Sequence, residues 1–430
     1  MNTLTICTII FVLMILGFCT GKISMATVAL TAMMALVLTD CMEAGEALAY
    51  FANNNVIMIA GMCVVAAGFN RTQFCTNMAN KISLMAKGNL NKMMFGYVII
   101  GMLLSQFIQS PLVAMSIVTP MLIASAESMG YHASKVIFPV GVVTVITCCT
   151  IPVGAGATVA AELNGYIESY GYTAHMVSLF DPMIGRLPLL IFAVIYCSFF
   201  ATRFTPDKPI VASSIQKTNQ GGEKPRLNAF QEYAGIIIFF ADAVALMFSA
   251  QLGLSNWEVT VIGALAMVLC GVLKPREATA ALPMSMLLLI VGAMAMSGAL
   301  SATGAGELIG GYIAGIVEAV NGNSYIVGFI FFLIPFILTQ FMQNRGTMLI
   351  FHPIAIATCA SIGGNPVGLM ILIQAACLSS FMTPMATGAI PYIMECGGYD
   401  QKSMIKQSLL PALICCVVSV GWIMTVFPIQ

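Results

Sequence analysis

Charge is what this sequence has least of. Only 17 Lys and Arg and 17 Asp and Glu occur in 430 residues, 8% in all, with zero net charge at pH 7. Soluble domains carry roughly 25% charged residues, so a water-solvated globular surface is excluded. Zero net charge also offers nothing to attract a nucleic-acid backbone. Histidine is scarce, with His132, His175 and His352 alone. No His-Glu-x-x-His, no Gly-x-Ser-x-Gly and no mid-membrane aspartate pair is present, which argues against an enzyme. The Gly-x-x-x-x-Gly-Lys-Ser/Thr loop is missing too, and with it direct ATP hydrolysis. Fourteen cysteines occur, but never as Cys-x-x-Cys, so neither a metal site nor a disulfide framework is expected. They read as buried thiols.

What the sequence has is apolar length. Hydrophobic residues make up 59% of the chain and the mean hydropathy is +0.96. Apolar runs cover 3–20, 23–39, 52–69, 184–202, 234–250, 257–273, 283–300 and 407–427. About 20 such residues span a bilayer as a helix, and the alternation of a β-barrel is absent. The fold class is therefore all-α and polytopic in the membrane. The first run lacks a basic leader and a convincing cleavage site, so it reads as a retained helix. The 32 methionines suit uneven packing between helices. Trp257, Tyr166 and Tyr399, near predicted helix ends, suit interfacial anchoring.

The chain also reads twice. Glu46-Ala47 answers to Glu277-Ala278, Gly61 to Gly292 and Thr72 to Thr303. "LSQFIQS" at 104–110 answers to "LTQFMQN" at 338–344, "PVGAGA" at 152–157 to "PMATGA" at 384–389, and "ELNGY" at 162–166 to "ECGGY" at 395–399. The offset stays between 231 and 234 residues, a constancy that marks an internal repeat. Residues 1–202 and 233–430 are the two units. The polar stretch 203–232 links them.

Charge bias gives their relative orientation. Segment 70–92 carries Arg71, Lys81, Lys87 and Lys92 without an acid, whereas its counterpart 301–324 carries Glu307 and Glu318 without a base. Segment 40–46 holds Asp40, Glu43 and Glu46, and its counterpart holds Lys274 and Arg276. Equivalent loops of opposite bias lie on opposite sides by the positive-inside rule, so the repeat is inverted. Placing 70–92, the linker and 400–406 in the cytoplasm puts every basic residue inside except Arg186 and Arg345, and both termini outside. Arg186, at the start of an apolar run, is expected to snorkel to the interface.

With those sides, 93–128 starts and ends on one face and is read as a re-entrant hairpin, interrupted near Gln106, Gln109, Ser110 and Pro111. Its counterpart 325–362 has its tip at Gln343-Asn344-Arg345-Gly346-Thr347. Each hairpin precedes a broken helix, 136–167 interrupted at Thr150–Gly156 and 366–399 interrupted at Thr383–Gly388. Matched pairs of interrupted segments point to a transport site, because broken backbone in a membrane is tolerated only where it lines a cavity or is buried in protein. Arg345 at such a tip has three candidate roles. It can hold a carboxylate, phosphate or sulfate, pair with an acid such as Asp242, or stand in for a bound cation.

"EALAYFANNNVIMIAGMCVVAAGFNRTQF" (46–74), "SQFIQSPLVAMSIVTPM" (105–121) and "FMTPMATGAIPYIMECGGYDQKSMIKQSLLPALI" (381–414), in an order of hairpin, broken helix and closing helix that repeats, resemble the divalent anion/sodium symporter family of the ion-transporter superfamily. The resemblance covers nearly the whole chain. It implies a homodimer in the cell inner (plasma) membrane, an elevator motion, and a dicarboxylate, citrate or sulfate as cargo. No bound cofactor or metal is implied, and sodium is the candidate coupling ion. Carried onto this sequence, substrate contacts fall to Gln109, Ser110, Pro111, Asn344, Arg345, Thr347, Pro152, Pro384 and Thr387. The coupling-ion candidates are Ser105, Gln109, Ser110, Thr150, Gly154 and Gly156 in the first half, with Thr339, Gln343, Asn344, Thr383 and Gly388 in the second. Gln-Ser-Pro and Gln-Asn-Arg-Gly-Thr stand where the family carries Ser-Asn-Thr, so sodium symport, proton coupling and anion exchange all stay open. His352 and Asp242 are the proton-coupling candidates. Glu162 and Glu395 are read as marking helix ends. An oxyanion efflux carrier or cation/proton antiporter of the same superfamily is the alternative function.

Overall fold

The computed structural model describes residues 2–20, 23–74, 77, 88–107, 110–152, 159–169, 172, 174–212, 227–303 and 323–429. Among these residues there are helices and turns and no strand. The first half holds α1 (Thr3–Thr20), α2 (Met25–Leu38), α3 (Ala44–Ala49), α4 (Asn54–Asn70), α5 (Leu90–Phe107), α6 (Pro111–Ser128), α7 (Ala133–Ile146), α8 (Val159–Ser169) and α9 (Asp181–Phe199). The second holds α10 (Ala229–Met247), α11 (Asn256–Leu269), α12 (Pro275–Ala280), α13 (Met284–Ala302), α14 (Ser324–Thr339), α15 (Asn344–Ile362), α16 (Val367–Cys377), α17 (Ala389–Gly397) and α18 (Gln401–Val426). A four-residue turn, Ser249–Leu252, follows α10. Each helix of the first half thus has a counterpart nine places on. Most of the linker (213–226), Gln109, Gly154, Gly156, and the loop charges Lys81, Lys87, Glu307 and Glu318 lie outside the described residues.

Local chemistry starts and stops these helices where the sequence supplies it. Ser24 accepts a hydrogen bond from the Thr27 amide at the head of α2, Asn228 and Gln231 cap each other's backbone at α10, and Asp400 accepts from the Ser403 amide at α18. Proline at the first position opens α6 and α12, where a missing N–H costs nothing. Gly363 and Gly398 end α15 and α17 at φ 65°, the left-handed turn that glycine adopts without strain.

Inversion is visible in how counterparts meet. The Trp422 indole donates to the Ile184 carbonyl at 2.9 Å, and Gly185 lies against Ile423. The start of α9 therefore meets the end of α18, so these equivalent helices run antiparallel. Two contacts even repeat as mates. Gly61 of α4 faces Thr260 of α11, and Gly292 of α13 faces Ala29 of α2, each residue replaced by the one 231 positions away.

These two glycines let helix backbones touch, as small residues do in membrane packing. A Cβ on Gly61 would lie 2.8 Å from the Thr260 backbone, and one on Gly292 would lie 2.5 Å from that of Ala29. Gly61→Ala and Gly292→Ala should each destabilise by about 1–3 kcal/mol, the usual cost of overpacking. Gly45→Ala, with nothing within 4 Å of its new carbon, should not. Thermal unfolding of the three variants in detergent checks this, and equal midpoints would contradict it.

Burial divides the helices. All of α16, α7 except Lys135, and most of α6 are enclosed, while α10 turns Phe230, Tyr233, Ile237 and Val244 outward. The hairpin and broken-helix elements form the centre, and the apolar flanks suit lipid. Among the described residues, five stretches are long and apolar enough to cross a membrane, namely Ala44–Asn70, Pro111–Ser128, Asp181–Phe199, Ala229–Leu246 and Gln401–Val426. The twelve described cysteines with assigned surroundings are all free, and eleven are buried.

Segments read as lying on one side meet in two groups. Arg71 pairs with Glu277 at 2.7 Å and donates to the Val272 carbonyl. Lys135 pairs with Asp207 of the linker at 2.5 Å, which holds the exposed Asp207 carboxyl below its ordinary range. The linker amides of Ile210 and Val211 donate to the Gly398 carbonyl. Tyr399 departs from the interfacial reading. It is 1% exposed, its hydroxyl donating to the Ser134 carbonyl at 2.6 Å and accepting from the Phe138 amide. It is an internal strut between α17 and α7.

Candidate functional site

The breaks begin earlier than their Pro and Gly residues suggest. α7 ends at Ile146 and α16 at Cys377, four and six residues before the expected Thr150 and Thr383. Ending a helix leaves its last carbonyls unbonded, and here side chains from elsewhere take them up.

One glutamine per repeat does most of this. Gln106, 1% exposed near the end of α5, donates from Nε2 to the Thr147 carbonyl at 2.9 Å. Its Oε1 accepts from the Thr150 and Ile151 amides at 3.1 and 2.9 Å. Gln340 sits 234 residues later. Its Nε2 donates to the Ser379 carbonyl at 3.4 Å and its Oε1 accepts from the Met382 amide at 3.0 Å. Each hairpin is thus clasped to the break of its own repeat. The amide serves because it carries a donor and an acceptor on separate atoms, which suits a gap exposing C=O and N–H together.

The hydroxyl positions that precede these glutamines also meet their breaks. Ser105 shares a hydrogen bond with Thr147 at 3.0 Å, and its carbonyl accepts from the Cys149 amide. Thr339 donates to Asn344 Oδ1 at 2.8 Å and lies 3.3 Å from the Cys377 carbonyl. Thr383 donates to the Gln340 carbonyl. Of the other expected contacts, Ser110 precedes α6 beside Pro111 without a capping bond from its side chain, Thr150 is buried at the first break, and Thr347 is buried with its hydroxyl 3.4 Å from the Gln343 carbonyl. Gln343 is exposed at the head of α15, and Pro152, Thr387 and Gly388 are half-buried beside the breaks, while Pro384 is buried.

The tips also reach across to the opposite repeat. A Cβ on Gly388 would touch Leu112 at 3.3 Å, which sets the first tip against the second break. Arg345, in the first turn of α15, acts electrostatically on Cys149 and Tyr166 of the first broken helix. Behind it, His352 is buried and meets Tyr166 edge-on at 4.9 Å. Arg345 is exposed and has no acidic partner among the described residues. The expected alternative of pairing with Asp242 fails. Asp242 is buried on α10 against Gly263 of α11, apart from the tips.

Arg186 is the largest correction. It does not snorkel. It is 1% exposed and donates to the Ile146, Cys148 and Cys149 carbonyls at 2.9, 2.9 and 3.2 Å. A helix C-terminus carries about half a negative charge, and the guanidinium sits on it. Position in an apolar run is the same for a snorkelling and a buried arginine, so the sequence alone could not separate them.

Cys149 turns the chain out of α7 at φ 52°, a region costly for residues other than glycine. The turn aims its amide at Ser105 and its carbonyl at Arg186. Cys149→Gly should fold at least as stably as the parent, whereas Cys149→Val, β-branched at positive φ, should lose about 1–3 kcal/mol. Comparing their thermal midpoints tests the turn, and a tolerated valine would contradict it.

A sodium ion asks for a cluster of free oxygens. At the first break the three carbonyls at the end of α7 are already bonded to Arg186, so this described cluster does not fit one. At the second break the carbonyls meet neutral donors. Gln401 donates to Met382 at 3.0 Å and Ser408 to Phe381 at 3.4 Å.

Known proteins place this arrangement. An uncharacterized transporter of Haemophilus influenzae is 23% identical over 386 residues, 87% of this chain and 81% of that one. The uncharacterized transporter YfbS of Escherichia coli is 24% identical over 186 residues, 43% of this chain and 30% of that one. The solved structure of Neisseria gonorrhoeae MtrF, described with a class of antimetabolite efflux pumps, overlays at a TM-score of 0.38 with 12% identity, over 99% of this chain and 95% of that one. A family model described as "Citrate transporter" matches residues 9–344 and again 244–429, taking in both hairpins and both breaks. That match over both halves makes this a membrane transporter, and the chain belongs to the citrate transporter family.

Proposed function

We propose that this carrier moves citrate or a related di- or tricarboxylate across the cell inner membrane by alternating access. The anion is held between the two hairpin tips and the two helix breaks. The observation that carries this reading is Arg345, an exposed guanidinium with no acidic partner among the described residues, set at a hairpin tip whose helix packs on the opposite repeat through His352 and Tyr166. A permanent, planar cation with paired donors matches a carboxylate, and it sits at a helix N-terminus, where negative charge is favoured. Ser110, Asn344 and Thr347 supply further polar contacts at the tips. An elevator motion of the enclosed hairpin and broken-helix elements, against scaffold helices that include α10, belongs to the same proposal, as does a homodimer.

The test is uptake of labelled citrate by proteoliposomes holding the purified protein. Saturable uptake, competed by di- and tricarboxylates, is expected. Transport of an inorganic oxyanion with no carboxylate accepted would replace the substrate, and no anion transport at all would overturn the reading.

A further inference from the structure

A broken helix in a carrier exposes carbonyl oxygens at the end of its first half, and such an end coordinates a cation. In this chain a cation is already there, covalently. Arg186 reaches the end of α7 from α9 and donates to three of its carbonyls, those of Ile146, Cys148 and Cys149. Among the described residues no cation meets the matched end of α16, where Thr339, Gln340, Gln401 and Ser408 serve as neutral donors. The difference between the repeats is one of charge at the same place in the fold.

The arginine is costly unless it does something. A guanidinium that is 1% exposed has lost its water, and burying a charge costs several kcal/mol before compensation. Its Nε has no partner, so even the compensation is incomplete. A neutral glutamine or serine satisfies carbonyls at the other break, which shows that capping alone does not require a charge. Two further features say that the charge is aimed. Cys149 is held at φ 52°, which turns its carbonyl onto the guanidinium. Arg186 and Arg345 both act on the Cys149 thiol, so two fixed cations flank this break, offset in part by Glu162 in the first turn of α8.

We infer that Arg186 is a built-in counter-cation: it occupies the carbonyl cluster at the end of α7 in place of a coupling ion, so that this cluster takes no alkali cation during transport. The inference rests on the carrier reading above and deepens it by removing one cation site from the cycle. Arg186 is a positioning residue. Its hydrogen bonds are spent on backbone, which leaves Arg345 as the cation that meets the cargo.

The experiment compares the purified full-length protein with Arg186→Ala by thermal unfolding in choline, sodium and low-millimolar guanidinium chloride at matched ionic strength, with no carboxylate present. A ligand that binds the folded form alone raises its midpoint. The alanine variant should unfold several degrees below the parent in choline, then gain stability from sodium or guanidinium that the parent does not gain. A variant whose response to the three salts equals the parent's would show a plain lost cap and overturn the inference. If the alanine variant is not recovered, Arg186→Met, which keeps the apolar stem but neither donors nor charge, replaces it. A gain of cation response is again expected, and its absence again overturns the inference. No cargo is used, so a wrong substrate assignment leaves this result untouched.

Discussion

Replacing Arg345 with glutamine should lower kcat/KM for citrate by about two to three orders of magnitude while leaving the folded protein intact. The magnitude follows from the bond removed. Truncating one partner of a hydrogen-bonded charge pair costs roughly 2–5 kcal/mol, and each 1.4 kcal/mol is about tenfold. The intact fold follows from exposure, because Arg345 projects from the first turn of α15 and has no acidic partner among the described residues. Arg345→Lys keeps the charge but loses the planar fork, so it should fall between the two, at about a tenfold loss. Initial rates in proteoliposomes, with the thermal midpoint of each variant as control, separate a lost contact from a lost fold. If Arg345→Gln carries citrate at the parent's rate, the cargo does not touch this residue and the site must be sought elsewhere.

Much of this fold was legible as pattern. The apolar runs set the outer helices to within a few residues, and the constant offset of 231 to 234 paired the halves before any contact was known. The charge bias of loops even anticipated that 70–92 and Lys274–Arg276 share an end, where Arg71 now meets Glu277. What the pattern lacked was the third dimension. The breaks were placed at their Pro and Gly residues, yet α7 and α16 stop sooner, because Gln106, Arg186, Thr339 and Gln340 reach in and bond carbonyls that a continuing helix would have used. Those partners lie 37 to 42 residues away in sequence for several of these bonds. Helical periodicity carries no such information. Gln106 and Gln340 were in view as part of the matched strings 104–110 and 338–344. Their role was not, since a repeated polar residue in an apolar run looks the same whether it faces a cargo or a backbone.

That role gives the second large effect. Gln106→Leu would strand the Thr147 carbonyl and the Thr150 and Ile151 amides, all now bonded to one buried side chain. An unsatisfied buried group costs about 1–3 kcal/mol, so a loss of about 3 kcal/mol or more is expected, read as a lower thermal midpoint. Gln340→Leu strands the Met382 amide and loosens the Ser379 carbonyl, and it should cost somewhat less. A leucine variant as stable as the parent would show that the clasps are incidental. The consequence for motion follows from where the bonds run. A hairpin that opened at its tip as a gate would have to leave these bonds at every cycle. A hairpin that stays bonded to its break keeps them, and then access changes by moving tip and break together past the scaffold. Transport should therefore fall in the leucine variants in step with the lost stability, with both members of the clasp needed on the same moving body.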